Sequence, residues 1–76
     1  MEERIKSIFS TVIDVSPDQL HDETTPNDLG NWNSLNHLVL IAAFEEEFSI
    51  NIDPEEITIM WESFSKFKGL IVQKVG

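Results

Sequence analysis

The stretch "SLNHLVLIAAFEEEF", residues 34 to 48, most constrains what this chain can become. On a helical wheel Leu40, Ile41, Phe44 and Phe48 share one face, which the spacing assigns to the core. The opposite side carries Leu35, Leu38, Val39, Ala42 and Ala43, followed by Glu45 and Glu46. A helix apolar nearly all round must be buried on every side or expose part of that surface to partners. A chain of 76 residues is near the lower limit for a single core and cannot readily enclose such a helix. A central helix with one buried face and one exposed apolar strip ending in acids is therefore predicted.

The remaining elements are arranged around it. Ile5, Ile8, Phe9, Val12 and Ile13 follow the spacing of one helix face and predict a helix over about residues 3 to 14. Glu3, Ser7, Ser10, Thr11 and Asp14 fall on its other side. Residues 15 to 33 form a long connection interrupted by Pro17, Pro26 and Gly30, with Leu20, Leu29 and Trp32 as its anchors. Loops of this length in small domains are often functional. Ile50 and Ile52 alternate like a short extended segment, and Asp53-Pro54-Glu55-Glu56 is a good start for a short helix near 54 to 60. Ser63 can cap a last helix with Phe64, Phe67, Ile71 and Val75 inward and its lysines placed late. The expected fold is an all-α bundle of one domain, residues 1–76, with three longer helices, a short third helix and a long first loop.

Composition excludes several functions. The formal charge is −9, from 14 acids against 5 bases, so the basic footprint that nucleic acid requires is missing. Residues 31 to 62 hold seven acids and no lysine or arginine, whereas residues 63 to 76 hold Lys66, Lys68 and Lys74 and no acid. The middle of the chain should therefore present a negative field to basic partners. Cysteine is absent, which removes disulfides and thiolate metal sites. The start, Met1-Glu2-Glu3-Arg4, is acidic and no apolar signal region follows it. The apolar run from Leu38 to Phe44 is too short to span a bilayer. A cytoplasmic monomer, not inserted in a membrane, is the expectation.

Catalysis has little support. A nucleophilic serine needs a base and an orienting group. His21 and His37 are the two histidines, and His37, one helical turn beyond Ser34, lies nearer the core face. Asp14, Ser16, Asp18 and Asp22 occupy positions 1, 3, 5 and 9 of a twelve-residue calcium-type loop, but Gln19 replaces the required glycine, Thr25 replaces the bidentate glutamate and Pro17 intrudes. Ser34 itself has two readings. It can be the N-cap of the helix, satisfying a free backbone N–H. It can also carry a phosphate ester, because a helix N-terminus offers free N–H groups and partial positive charge.

The ordered set Leu29-Gly30, Ser34-Leu35, Leu38, Phe44, Glu45-Glu46-Glu47-Phe48 and Ile50/Ile52 resembles the signature of the acyl carrier proteins, including the related peptidyl and aryl carriers, and covers essentially the whole chain. The resemblance implies a non-enzymatic carrier. Its Ser34 would receive 4'-phosphopantetheine from coenzyme A through a separate Mg-dependent phosphopantetheinyl transferase, and the thiol of that arm would hold an acyl group as a thioester. Partners implied are that transferase and acyl-loading and acyl-processing enzymes with basic docking surfaces. The recognition residues carried over are Asn33, Leu35, Leu38, Val39, Ala42, Glu45 and Glu46. Alternatives are a peptidyl or aryl carrier of a nonribosomal peptide pathway and an unmodified adaptor with the carrier fold. Three positions depart from the pattern. Asn33 replaces the acid usual before the serine, and Asn36 and Val39 are uncharged where carriers of fatty acid synthesis commonly have acids. With Trp32, which resembles the Trp-Asp-Ser-Leu pattern of some stand-alone carriers, they point to a specialised pathway for a secondary metabolite or modified lipid.

Overall fold

The apolar stripe of the first segment produces helix α1, Glu2–Ile13, in the computed structural model, which describes residues 1–76. Ile5, Phe9 and Ile13 are buried, and Ile8 and Val12 pack partly against them. The helix sits one residue earlier than 3–14 because Asp14 turns left-handed at φ 58°, a conformation aspartate tolerates better than most residues. One expectation fails here: Ser10, assigned to the outer side, is 5% exposed. Its hydroxyl donates to the Ser7 carbonyl at 3.1 Å, so a small polar side chain is buried with its hydrogen bond made.

The long connection is ordered by local hydrogen bonds that hydrophobic periodicity cannot reveal. Pro17–Gln19 form one turn of 3-10 helix with a capping box: the Asp18 N–H donates to Ser16 Oγ and the Ser16 N–H to Gln19 Oε1. Thr24, nearly buried, accepts the His21 N–H at 2.8 Å and donates to the Gln19 carbonyl at 3.3 Å. Leu20, Leu29 and Trp32 are buried and pin the loop to the bundle as expected.

Helix α2 spans Ser34–Phe48, α3 Pro54–Met60 and α4 Phe64–Val75. Along α2, Leu40, Ile41 and Phe44 enter the core; Phe48 is half-buried beneath the Arg4 guanidinium, 4.9 Å from its ring centroid. Asp53 and Glu56 close a capping box at α3, and Ser63 Oγ caps α4 by accepting the Lys66 N–H at 3.1 Å. Phe64, Phe67 and Ile71 face inward, with Val75 half-buried. The expectation that the lysines lie late in this helix holds for Lys74 alone. The helix begins at Phe64, so Lys66 falls in its first turn, and Lys68 is held mid-helix by Glu2 and Asp22.

The result is the all-α bundle of three longer helices and one short one. Helix α1 packs on α2 and α4, and α3 packs chiefly on α4. Phe9 is the hub of the core, with edge-to-face contacts at 5.0 Å to Trp32, 5.1 Å to Phe64 and 5.0 Å to Phe67. Such pairs add directional packing to area burial. The core so closed sets the start of α2 at one end of the bundle, beside α3.

Candidate functional site

The cap of α2 is Asn33, not Ser34. Asn33 is extended, and its Oδ1 accepts the Asn36 N–H at 2.8 Å, the bond from N-cap to third helical residue that short polar side chains make well. Two further asparagines hold this corner. Asn36 Nδ2 donates to the Asn31 carbonyl at 2.8 Å, and Asn31 Nδ2 donates to the carbonyls of Ile13 and Asp14 at the end of α1, at 3.0 and 3.3 Å. Ser34 is thereby released from capping and becomes the first helical residue, exposed, with its hydroxyl making no hydrogen bond to the chain. The N–H groups of Ser34 and Leu35 are also free, at the positive end of a 15-residue helix.

Beside Ser34 lies an open groove of about 290 Å³, lined by Ser34, His37, Leu38, Ile57, Thr58 and Trp61. His37, only 4% exposed, lies at its buried side. The Trp32 indole Nε1–H donates to His37 Nδ1 at 3.0 Å, and an indole can only donate. The imidazole must therefore carry its proton on Nε2, from which it donates to the Ile57 carbonyl at 2.8 Å. Burial lowers the pKa of His37 below the usual histidine value of 6.5, opposed in part by the bond to Ile57. Both ring nitrogens are thus committed and neither is available as a base for Ser34.

The outward face of α2 is the exposed strip predicted from periodicity: Leu35, Leu38 and Val39 are 71%, 56% and 47% exposed. Ala42 and Glu46 are exposed, while Ala43 and Glu45 are half-buried. Glu45 Oε2 accepts the Ile52 N–H at 2.9 Å in the link to α3. Three of the five bases are absorbed in ion pairs, Arg4 with Glu47, Lys68 with Glu2 and Asp22, and Lys74 with Glu56. Glu46, Glu55 and Glu62 belong to no ion pair, so the negative field around α2 and α3 is largely unopposed.

The calcium-type spacing does not become a site. Asp14 terminates α1, Ser16 caps the 3-10 turn, and Asp22 pairs with Lys68 at 2.6 Å. A polar hollow of about 520 Å³ on the loop, bordered by Asp18, His21, Glu23 and Asp28, shares no lining residue with the groove at Ser34.

Residues 3–70 match the family model described as a phosphopantetheine attachment site. Acyl carrier proteins of three strains of Buchnera aphidicola subsp. Acyrthosiphon pisum, Tuc7, 5A and APS, are each 42% identical over 57 residues, covering 74% of this chain and 70% of theirs. The chain belongs to the acyl carrier protein family. It is a carrier and not an enzyme, and its prosthetic group is covalently bound 4'-phosphopantetheine. As a carrier it interacts with a phosphopantetheinyl transferase and with acyl-processing enzymes. None of its helices is long and apolar enough to cross a membrane.

The residues at the start of α2 fit such a group: a free hydroxyl, two free N–H groups able to face phosphate oxygens, and a partly apolar groove alongside. Sequence reasoning placed Ser34 at the start of α2 and predicted the exposed strip, but missed the wall of the groove, Ile57, Thr58 and Trp61, because pairing α2 with α3 is a tertiary event. The asparagine clamp had a signal in the spacing Asn31, Asn33, Asn36, each residue able to bond backbone groups locally.

Proposed function

We propose that Ser34 is the residue that bears 4'-phosphopantetheine and that this carrier presents a tethered acyl intermediate to partner enzymes of a specialised pathway. The observation carrying the proposal is that Ser34 Oγ is exposed and unbonded at the mouth of α2, with capping done by Asn33. The bound arm supplies a thiol, on which an acyl group is held as a thioester. Ser34 contributes the oxygen of the ester. As its Oγ–H bond gives way to an Oγ–P bond, the nucleotide part of coenzyme A leaves. The proton goes to a base on the transferase, since His37 has no free nitrogen. The free N–H groups of Ser34 and Leu35 favour the phosphate negative charge at this position.

Leu35, Leu38, Val39 and Ala42 form the docking strip, and Asn33, Glu45 and Glu46 border it; the acids favour partners with basic surfaces. Residues 1–76 act as one monomeric carrier domain. The specialised pathway is supported by the uncharged Asn33, Asn36 and Val39, which make the early part of this surface neutral rather than acidic. Tethering raises the effective concentration of the intermediate at each partner.

Incubation with a broad-specificity phosphopantetheinyl transferase, Mg²⁺ and coenzyme A should add one pantetheinyl phosphate by intact mass, and Ser34→Ala should abolish the gain. Unmodified protein with several transferases would favour the adaptor reading. Efficient elongation by housekeeping fatty-acid enzymes, with no better partner, would overturn the specialised pathway while leaving the carrier intact.

A further inference from the structure

The seam between α2 and α3 is joined differently from the rest of the bundle. The other helix pairs combine apolar packing with ion pairs between side chains; α3 packs on α4, and its link to α2 includes two hydrogen bonds between a side chain and a backbone group. One is Glu45 Oε2 with the Ile52 N–H, on the approach to α3. The other is the imidazole of His37 with the carbonyl of Ile57 inside α3. That carbonyl is one a short helix leaves open: Trp61, which would close the next helical bond to Ile57, donates instead to Thr58 and Ile59. His37 fills the position from outside the helix.

We propose that His37 is the positioning residue of the groove beside Ser34: by latching α3 to α2, it holds that space as a shallow, aromatic-walled trough. The trough admits a short or planar acyl group and keeps a long alkyl chain out of the core. This inference rests on the carrier reading of Ser34 and names the class of cargo that the same site accommodates.

Three observations carry it. The His37 ring lies between the groove and the core, packed edge-on against Trp61 at 5.0 Å and against Phe67 at 6.0 Å. Behind it Trp32, Phe44 and Phe67 are essentially inaccessible, and both hollows of the molecule open to solvent, so the core has no space waiting for a chain. Its orientation is also fixed from behind by the Trp32 indole. Swinging the ring aside would strand an indole N–H and a helix carbonyl together, and each buried polar group left unpaired costs its full desolvation. The trough itself, about 290 Å³, is at the small end of ligand pockets, which run about 300–1,000 Å³. Trp61 adds an aromatic ring to its wall, which suits a planar group.

The test loads the protein from acetyl-, benzoyl- and dodecanoyl-coenzyme A with a transferase, scoring loading first by intact mass. Melting temperature and backbone amide shifts are then compared with the acetyl form. The benzoyl form should move the Thr58 and Trp61 amides and raise Tm. The dodecanoyl form should leave the Phe44 and Phe67 amides in place and give no rise in Tm. In His37→Leu the dodecanoyl chain should raise Tm and move Phe44 and Phe67, whereas His37→Gln, which keeps a donor near the Nε2 position, should behave as the parent. Movement of Phe44 and Phe67 in the parent dodecanoyl form, or identical behaviour of His37→Leu and parent, would overturn the proposal.

The latch is also testable without any loading. The His37 ring ¹⁵N shifts of the unmodified protein should report the Nε2–H tautomer alone, with a slowly exchanging Trp32 indole proton. A tautomer mixture or a freely exchanging indole contradicts the latch, even if His37→Leu fails to fold. Absence of any mass gain would instead count against the carrier reading, which keeps the two failures separate.

Discussion

Helices α2 and α4 begin alike and end up with opposite duties. Each follows a polar cap, Asn33 or Ser63, that accepts the N–H three residues on, and each carries a serine in its first turn, Ser34 or Ser65. At α4 every early N–H is taken: Phe64 donates to the Thr24 carbonyl at 2.7 Å, Ser65 to the Asp22 carbonyl at 3.0 Å, and Lys66 and Phe67 to Ser63. The long loop plugs that end. At α2 the N–H groups of Ser34 and Leu35 face outward with nothing on them. A helix start is an anion seat only while its donors stay free, so the comparison singles out Ser34 rather than Ser65.

The largest expected difference between the two starts is in packing. Phe64 is inaccessible in the first turn of α4, and Leu35 in the first turn of α2 is 71% exposed. Phe64→Ala should cost about 3–5 kcal/mol, against about 0.5 kcal/mol or less for Leu35→Ala, by urea unfolding. Comparable losses would erase the contrast. Leu35→Ala should instead weaken partner binding.

The caps should be equal in stability and unequal in consequence. Ser63→Ala and Asn33→Ala should each cost about 1 kcal/mol, since each removes one bond to a helical N–H. Only Asn33→Ala should also slow loading by a transferase, because it loosens the corner that presents Ser34. Equal loading rates would show that the cap does not position the serine.

A smaller effect appears with pH. The folded pKa of His37 lies below its free value of 6.5, so the stability from the neutral ring is present above 6.5 and lost as pH falls through the folded value. Acid also relieves repulsion among the 14 carboxylates, so the parent alone is a poor reporter. The stability difference between the parent and His37→Gln should shrink between pH 7 and 5; a constant difference would contradict a neutral, doubly bonded imidazole. At the α4 plug, Lys68 lowers the pKa of Asp22 below 3.8 by its hydrogen bond and charge. That contribution is present above 3.8 and lost as pH falls through the lower folded value. The Lys68 pKa is raised above 10.5, chiefly by the bond it donates to Asp22 and then by its bond to Glu2, so its part is present below 10.5 and lost as pH rises past the folded value. Lys68→Met should flatten both flanks slightly.

The smallest effect on stability, and a sharp one on function, belongs to Asn33→Asp. Aspartate and asparagine cap equally well, so unfolding should be unchanged within about 0.5 kcal/mol. Loading should be faster, because the substitution restores an acid for basic transferase surfaces, and the gain should fade with salt. An unchanged or slower rate would count against that electrostatic account.

Much of this was legible in the chain. Periodicity located the three longer helices and the Asp53-Pro54-Glu55-Glu56 start located the short one, and the double-sided apolar character of residues 35 to 44 foretold an exposed strip because so short a chain cannot cover it. What stayed hidden were bonds between short polar side chains and backbone groups. Such bonds moved the cap from Ser34 to Asn33 and buried Ser10, while a left-handed Asp14 ended α1 at Ile13 and backbone bonds folded the long loop onto the start of α4. His37 shows the same limit: its place on the core face was readable, but its two partners, five and twenty residues away, were not.

The central claim is that one serine of seven, Ser34, carries the prosthetic group. Peptide mapping by tandem mass spectrometry after reaction with coenzyme A and a transferase tests it most directly. The account predicts the pantetheinyl phosphate on Ser34 alone, unchanged in Ser65→Ala and absent in Ser34→Ala. Modification at Ser65 or any other serine, or a gain that survives Ser34→Ala, would contradict it.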